Sequence, residues 1–134
     1  MSLSAFFKGN EKQEDVVNFV VSNRFLDENG KPEVWKLKAI SGKKETMIKQ
    51  KCTFKYKNAK EMDWDRYTLL LTAESVVYPN LSDKSLQDSY GVMGVEDLLL
   101  DMLHSGELNK LKLKAQEVNG YGDSMDDMVE EAKN

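Results

Sequence analysis

The sequence has only one cysteine, Cys52, and one histidine, His104, in 134 residues. One cysteine excludes an intrachain disulfide, and the two residues cannot complete an ordinary structural zinc site from this chain alone. No apolar run approaches the roughly 18 residues that a membrane-spanning helix requires. The apolar patch at residues 3–7 is too short for a secretory signal, and no basic region precedes it. We therefore expect a protein without a membrane segment that stays in the cytoplasm where it is made.

The sequence also lacks the motifs of catalytic and cofactor sites. Gly91 and Gly94 are not followed by the lysine and Ser or Thr of a phosphate-binding loop. His104 lies where we expect a helix to end, a position that suits an imidazole structurally. The acidic clusters lack the ligand register of a calcium loop; they consist of Asp63, Asp65, Asp123, Asp126 and Asp127. We predict no catalytic, cofactor-binding or metal-binding residue, and hence a protein that is not an enzyme.

Charge is unevenly distributed along the chain, whose net charge is −4. Residues 31–60 contain ten lysines against two glutamates, whereas residues 123–134 contain five acidic residues against one lysine. The length is that of one compact domain. Because the composition turns acidic and small after Tyr121, we predict a single globular domain at residues 1–122 and a mobile acidic tail at 123–134.

Two runs rich in β-branched and aromatic residues predict strands in the first third of the chain. The first is Val16–Phe25, and a turn cluster at residues 27–32 separates it from the second. In the second run, Trp35 and Leu37 alternate with lysines, as in a strand with one buried face. We predict that the two runs form a β-hairpin and that residues 53–57 add a third strand.

Helical spacing and capping residues predict helices in the rest of the chain. Ser41 is expected to cap a short helix that buries Cys52, and Asp63 or Asp65 to start a central helix that runs to Tyr78. Ser82 is expected to cap a third helix. The clearest stripes predict two more: Val95, Leu98, Leu99, Met102 and Leu103, ended by Gly106, and Leu108, Leu111, Ala115 and Val118, ended by Gly120. The predicted fold class is α+β, an N-terminal β-hairpin or small antiparallel sheet packed against a predominantly helical C-terminal half.

The lysine-rich residues 31–60 leave an alternative function open. Trp35, Phe54 and Tyr56 interleave the lysines, as aromatic residues do on surfaces that bind single-stranded nucleic acid. Against this, the region has no arginine, and the sequence pI of 5.1 is low for a nucleic-acid-binding domain. A small accessory protein that binds nucleic acid through residues 31–60 is therefore the alternative function, and the overall charge argues against nucleic acid as the partner.

Separated blocks of the sequence resemble one protein family. They are NRFLDENGKPEVWKLKAIS at residues 23–41, LQDSYGVMGVEDLLLDML at 86–103, GEL at 106–108, QEVNGY at 116–121 and VEEAKN at 129–134. In this order and spacing they are similar to the XkdN-like phage tail assembly chaperones of Gram-positive phages and prophages. The resemblance covers most of the chain. It departs at His104 and Ser105, where a more apolar stretch with proline is expected, and at Lys43 and Lys44, which replace an acidic helix start.

The resemblance implies a holdase chaperone with no catalytic residues. Such proteins hold the tape measure protein, a long helical chain, until tail tube subunits replace them, so these two are the implied partners. The protein is then expected in the host cytoplasm and not in the mature virion. A partner helix would dock in an apolar groove. The candidate partner-binding residues are Val95, Leu98, Leu99, Met102, Leu108, Leu111, Met125 and Met128. The alternative is that both helical stripes face the protein's own core, the expected use of most of these residues at this chain length.

Overall fold

The computed structural model describes residues 2–13 and 15–122. Within them the chain forms a three-stranded antiparallel sheet, a separate two-stranded hairpin and five α-helices, which confirms the predicted α+β class. The strands are β1 (Val17–Phe19), β2 (Trp35–Leu37), β3 (Thr53–Tyr56), β4 (Ala59–Met62) and β5 (Val76–Tyr78). The helices are α1 (Gly42–Cys52), α2 (Trp64–Ser75), α3 (Lys84–Ser89), α4 (Val95–Met102) and α5 (Ser105–Val118), and a short 3-10 helix covers Leu3–Phe6.

The three-stranded sheet has the order β1-β2-β5. β1 and β2 form the predicted antiparallel pair, and Trp35 and Leu37 are buried while Lys36 between them is exposed. The third strand is β5, which the sequence prediction wrongly placed in the central helix. That helix ends at Ser75 because valines 76 and 77 are β-branched and Tyr78, which precedes a proline, is kept out of helical backbone. The extended residues then pair with β2.

The predicted strand at residues 53–57 exists as β3, but it does not join the first sheet. It pairs antiparallel with β4 in a hairpin whose residues are exposed except for half-buried Met62. The turn residues Lys57 and Asn58 both have positive φ, 51° and 67°, as the tight turns that match the twist of a hairpin require. The sequence prediction missed β4 because Ala, Lys and Glu are depleted in strands.

Helix α2 is the centre of the fold and separates two apolar clusters. Leu69 and Ala73 pack in the larger cluster with the sheet, α4 and α5, whereas Leu70 and Leu71 pack in the smaller one with Ile48 of α1. A helix buried on opposite sides needs residues around its circumference that are apolar, or polar with their hydrogen bonds made within the helix. Its hydroxyl residues meet this requirement by donating hydrogen bonds to carbonyls one turn earlier. Cys52 is buried in the smaller cluster, as predicted.

Side-chain caps define where the helices begin. Ser41 and Asp63 cap α1 and α2 as predicted, each oxygen accepting a backbone N–H three residues later. The predicted cap Ser82 is wrong, because Asp83 Oδ1 accepts from the N–H of Leu86 and begins α3. His104 and Gly106 do not end α4. Instead, α4 ends at Met102, and His104 is the N-cap of α5, so its imidazole lies at the opposite end of a helix dipole from the one expected.

Candidate partner-binding site

The structure places the predicted partner-binding residues in the protein's own core. Leu98, Leu99 and Leu111 are fully buried, Met102 and Leu108 are nearly so, and Val95 is half-buried. Their surface is covered by α2 and the sheet, which is the alternative arrangement considered for these stripes. Met125 and Met128 lie outside the described residues. Contact between any of these side chains and a partner stays a prediction, and a partner could reach the buried ones only if the helices moved apart.

An apolar cleft of about 160 Å³ opens at the β5 edge of the sheet. It is lined by Phe25, Glu33, Trp35, Tyr78, Pro79, Leu86 and Met102. A cavity of roughly 150 Å³ holds a benzene-sized group, so this cleft accommodates one aromatic or branched aliphatic side chain. β5 is an edge strand of this sheet, because it pairs with β2 on one side and with no strand of the described residues on the other. The cleft can therefore receive an apolar side chain from outside the protein.

The loop between β1 and β2 positions two of the lining residues. The N–H of Glu33 donates to the carbonyl of Phe25 (2.7 Å), which places both side chains at the same end of the loop. Asp27 Oδ1 accepts from the backbone N–H groups of Asn29 and Lys31 and holds the turn between them. Gly30 has a φ of 78°, a left-handed conformation that glycine adopts without strain. The turn cluster predicted from the sequence thus fixes one wall of the cleft.

Arg24 attaches this loop to the helices. Its Nη2 donates to the carbonyl of Met102, the last residue of α4, at 2.9 Å. The guanidinium also forms a two-point ion pair with Glu107 of α5, with N–O distances of 2.5 and 3.2 Å. The same group lies over the ring of Phe25, 4.9 Å from its centroid. One side chain therefore holds Phe25 beside Met102 at the cleft.

The Arg24–Glu107 pair predicts a pH dependence of stability. Hydrogen bonds from Arg24, with others from Ser22 and the His104 backbone, lower the pKa of Glu107 from 4.5 to about 2. A carboxyl whose pKa is lower in the folded state stabilises the fold above its unfolded pKa, and this contribution is lost as the pH falls through the folded value. We expect Glu107→Gln to lower the free energy of unfolding at neutral pH.

The difference between Glu107→Gln and the unchanged protein should shrink as the pH falls from about 4.5 towards about 2. Urea unfolding monitored by circular dichroism at a series of pH values measures it. Lys84→Gln is a suitable control, because Lys84 and Asp88 form an exposed i,i+4 pair that contributes little to stability. A constant difference across the acidic range would show that Glu107 is not held as an ion in the folded protein.

The cleft is lined by one charged residue, Glu33, and by the partly exposed ring of Tyr78. Tyr78 Oη donates to Glu33 Oε1 at 3.2 Å, and the negative charge of Glu33 raises the pKa of this hydroxyl. Next to the lining residues in the chain are three exposed side chains: Leu26, Val34 and Val77.

A second apolar surface lies at the start of the chain. The 3-10 helix exposes Leu3 and Phe6, which are 70% and 83% exposed, and Phe7 follows it at 58%. None of these side chains is buried in either apolar cluster. This patch is too short for a secretory signal. Its apolar residues are instead available to a partner.

The lysine-rich alternative site is only partly assembled. Phe54 and Tyr56 lie exposed on one face of the β3–β4 hairpin, and the register places Lys55 and Lys60 opposite each other on the other face. Trp35 is buried in the larger cluster, so it cannot stack on a base. The hairpin thus retains two of the three aromatic residues and separates them from the paired lysines.

In the described part of the chain, no group of three or more His, Cys, Asp or Glu side chains is arranged to hold a metal ion. Among the same residues, no helix is both long and apolar enough to cross a membrane.

The cleft could not be predicted from the sequence because its residues come from distant positions. Phe25 was assigned to a strand that ends earlier, at Phe19, and Tyr78 to the end of the central helix. Leu86 was predicted as part of a helix, but nothing in its local sequence indicates which element it packs against. The sequence does show one feature of the cleft: two aromatic residues lie next to turn residues. Phe25 precedes the turn cluster at residues 27–32, and Tyr78 precedes Pro79.

The chain matches one protein family and two proteins of Bacillus subtilis. Residues 3–133 match the family model described as phage XkdN-like tail assembly chaperone protein, TAC. The chain is 31% identical to the uncharacterized protein YqbN of Bacillus subtilis (strain 168) over 139 aligned positions, which cover 98% of this chain and 93% of the relative. It is 30% identical to the phage-like element PBSX protein XkdN of the same strain, with the same coverage of both chains.

A solved structure shares the fold of this chain. The crystal structure of the protein YqbN superposes with a TM-score of 0.81 at 26% sequence identity, covering 90% of this chain and 97% of the other. The match to the family model extends over nearly the whole sequence and includes all the strands and α-helices described above. The chain therefore belongs to the XkdN-like phage tail assembly chaperone family.

Proposed function

We propose that this protein binds the tape measure protein of its phage or prophage and keeps it soluble during tail morphogenesis, without catalysing a reaction. Membership of the tail assembly chaperone family is the observation that carries this proposal. It acts in the host cytoplasm and leaves the tape measure protein when tail tube subunits replace it, so it is absent from the mature virion.

The exposed apolar surfaces suit this role. A long helical chain presents apolar side chains in water, where they would otherwise cause self-association. The cleft beside β5 accommodates one such side chain. Burial of one large apolar side chain contributes roughly 1.5–3 kcal/mol. A contact of this size is weak enough for later displacement, and repeated contacts along the partner give the binding its strength.

Co-expression with the tape measure protein tests the proposal. We expect a several-fold increase in soluble tape measure protein and its co-purification with this chain, because covered apolar stripes cannot associate with each other. Both quantities are measured by affinity purification and quantitative gel analysis. A tail tube subunit from the same phage, expressed in place of the tape measure protein, serves as a specificity control.

Two results would contradict the proposal. One is a tape measure protein that stays insoluble and does not co-purify, although circular dichroism shows that this chain is folded. The other is co-purification of the tail tube subunit alone, which would assign the chaperone to a different tail protein while leaving its family membership unchanged.

A further inference from the structure

A groove between α1 and α2 combines an apolar base with unpaired positive charge. It has a volume of about 260 Å³ and is lined by Lys43, Lys44, Lys51, Met47 and Ile48, with Glu74 contributed by α2. Lys43, Met47 and Lys51 follow each other at four-residue steps and therefore lie along one line of α1. Met47 is 52% exposed, whereas Ile48 beside it is buried.

Most lysines near this groove have no acidic partner among the residues that the structure describes. Residues 43–60 contain seven lysines and one acidic residue, Glu45. Lys44 pairs with Glu74 at 2.7 Å and Lys49 with Glu45 at 3.4 Å. Within residues 2–13 and 15–122, no carboxylate lies within ion-pair distance of the remaining five, which are Lys43, Lys51, Lys55, Lys57 and Lys60. Two of these five line the groove.

The end of α5 brings the chain to α1. The N–H groups of Gly120 and Tyr121 donate to the carbonyls of Glu117 and Gln116, a hydrogen-bond pattern that closes the helix and reverses the chain. Asn119 Oδ1 accepts from the N–H of Ile40, two residues before α1 begins. Residues 119–121 are therefore held beside the first turn of α1, which carries Lys43 and Lys44.

Tyr121 strengthens this connection. Its ring packs against the smaller apolar cluster, and its Oη donates to Glu45 Oε2 at 2.9 Å, as does Tyr67 Oη. Burial opposes ionisation of Glu45, but the two tyrosine hydrogen bonds and Lys49 outweigh it and lower the pKa of Glu45. The carboxylate that joins α1, α2 and Tyr121 is thus ionised and already partnered. The unpaired lysines of α1 remain for another anion.

We propose that this groove holds the acidic segment, residues 123–134 of the same chain, with its carboxylates against Lys43 and Lys51 and its methionines against Met47. The segment carries five acidic residues and one lysine, and Met125, Met128 and Val129 recur at helical spacing among the acidic residues. Acidic and apolar residues thus alternate in the segment as basic and apolar residues do in the groove. The charges of the two surfaces are complementary.

The segment is long enough for this contact. Twelve residues span at most about 40 Å when extended, and even a helix of that length covers about 18 Å. The 11 residues of α1 extend over only about 16 Å. Exposed ion pairs contribute roughly 0–1 kcal/mol each, so the segment is held reversibly and its binding weakens with salt. The inference is independent of the proposed function, because both surfaces belong to this chain.

Carbodiimide cross-linking of the full-length protein, with peptides identified by mass spectrometry, tests the proposal. This reagent joins lysines to carboxylates in ion-pair contact. In the monomer, we expect Lys43 and Lys51 to cross-link to the segment several-fold more than the matched hairpin lysines Lys55, Lys57 and Lys60. The yield should fall severalfold between 0.1 and 1 M salt, as the Debye length shrinks from about 10 to about 3 Å.

Charge reversal gives a second measurement. Lys43→Glu with Lys51→Glu should abolish the cross-links, as should Asp126→Lys with Asp127→Lys, and the combined four-residue variant should regain them. Lys43 and Lys51 are both exposed, so these variants should fold, which circular dichroism checks. Absent cross-links, or cross-links mainly to the hairpin lysines, would overturn the proposal.

Two other occupants would also be detected. Cross-links confined to covalent dimers would show that a second copy supplies the segment. A single-stranded oligonucleotide that protects Lys43 and Lys51 from modification at physiological salt, in a protein without segment cross-links, would make the groove a nucleic-acid interface. Either result would exclude the contact within one chain.

Discussion

Leu98→Ala is expected to lower the free energy of unfolding by about 3–5 kcal/mol. Leu98 is fully buried on α4 and belongs to the larger apolar cluster, in which it packs with residues of β2, α2 and α5. Truncation removes the transfer free energy of three carbons and leaves a cavity that the neighbouring elements cannot fill. Loss on this scale should lower the melting temperature by roughly ten degrees or more for a chain of this length.

Leu100→Ala on the same helix provides the matched control. Leu100 is 55% exposed, so its truncation should change the free energy of unfolding by less than about 1 kcal/mol. Urea and thermal unfolding followed by far-ultraviolet circular dichroism measure both variants. If Leu98→Ala were as stable as the unchanged protein but failed to bind the tape measure protein, the α4 stripe would be a binding surface, as the sequence suggested, and its burial in the structure would be only one of its states.

Local sequence patterns predicted those elements whose capping hydrogen bonds or buried faces depend on residues nearby in the sequence. Ser41 and Asp63 were identified as caps because a cap accepts hydrogen bonds only from the next turn. The alternation around Trp35 and the stripe from Val95 predicted β2 and α4 because each has one covered face. The fold class followed from the order of these elements, and family resemblance over most of the chain predicted the family that the comparisons confirm.

Elements whose formation depends on distant partners were missed or misplaced. Val77 continues the helical spacing of the apolar residues of α2, so the sequence predicts helix there. The segment is a strand because Val76 and Tyr78 pair with β2, which is distant in the sequence. Leu98 and Leu111 were proposed as partner-binding residues because periodicity shows which side chains share a face and not what covers that face. The cleft combines loop residues with residues of two strands and two helices, so no local pattern indicates it.

Tyr78→Asp is expected to reduce co-purification of the tape measure protein at least tenfold. Tyr78 lies at the mouth of the cleft and is 44% exposed, so its replacement should leave the core intact. The new carboxylate would lie beside Glu33, which now accepts a hydrogen bond from the tyrosine. An apolar side chain entering the cleft would have to desolvate two neighbouring like charges. A tenfold loss corresponds to only about 1.4 kcal/mol, less than burial of one large apolar side chain contributes.

Two variants separate this effect from a general loss of apolar surface or of folding. Tyr78→Phe keeps the ring and removes only its hydrogen bond to Glu33, and it should bind nearly as well as the unchanged protein. Leu113→Asp places the same charge at a residue of α5 that is 54% exposed and outside the cleft, and it should also bind. Unchanged binding by a folded Tyr78→Asp variant, measured beside these two, would exclude the cleft. The exposed residues Leu3, Phe6 and Phe7 would then be the surface to change next, because they lie outside the cleft and both apolar clusters.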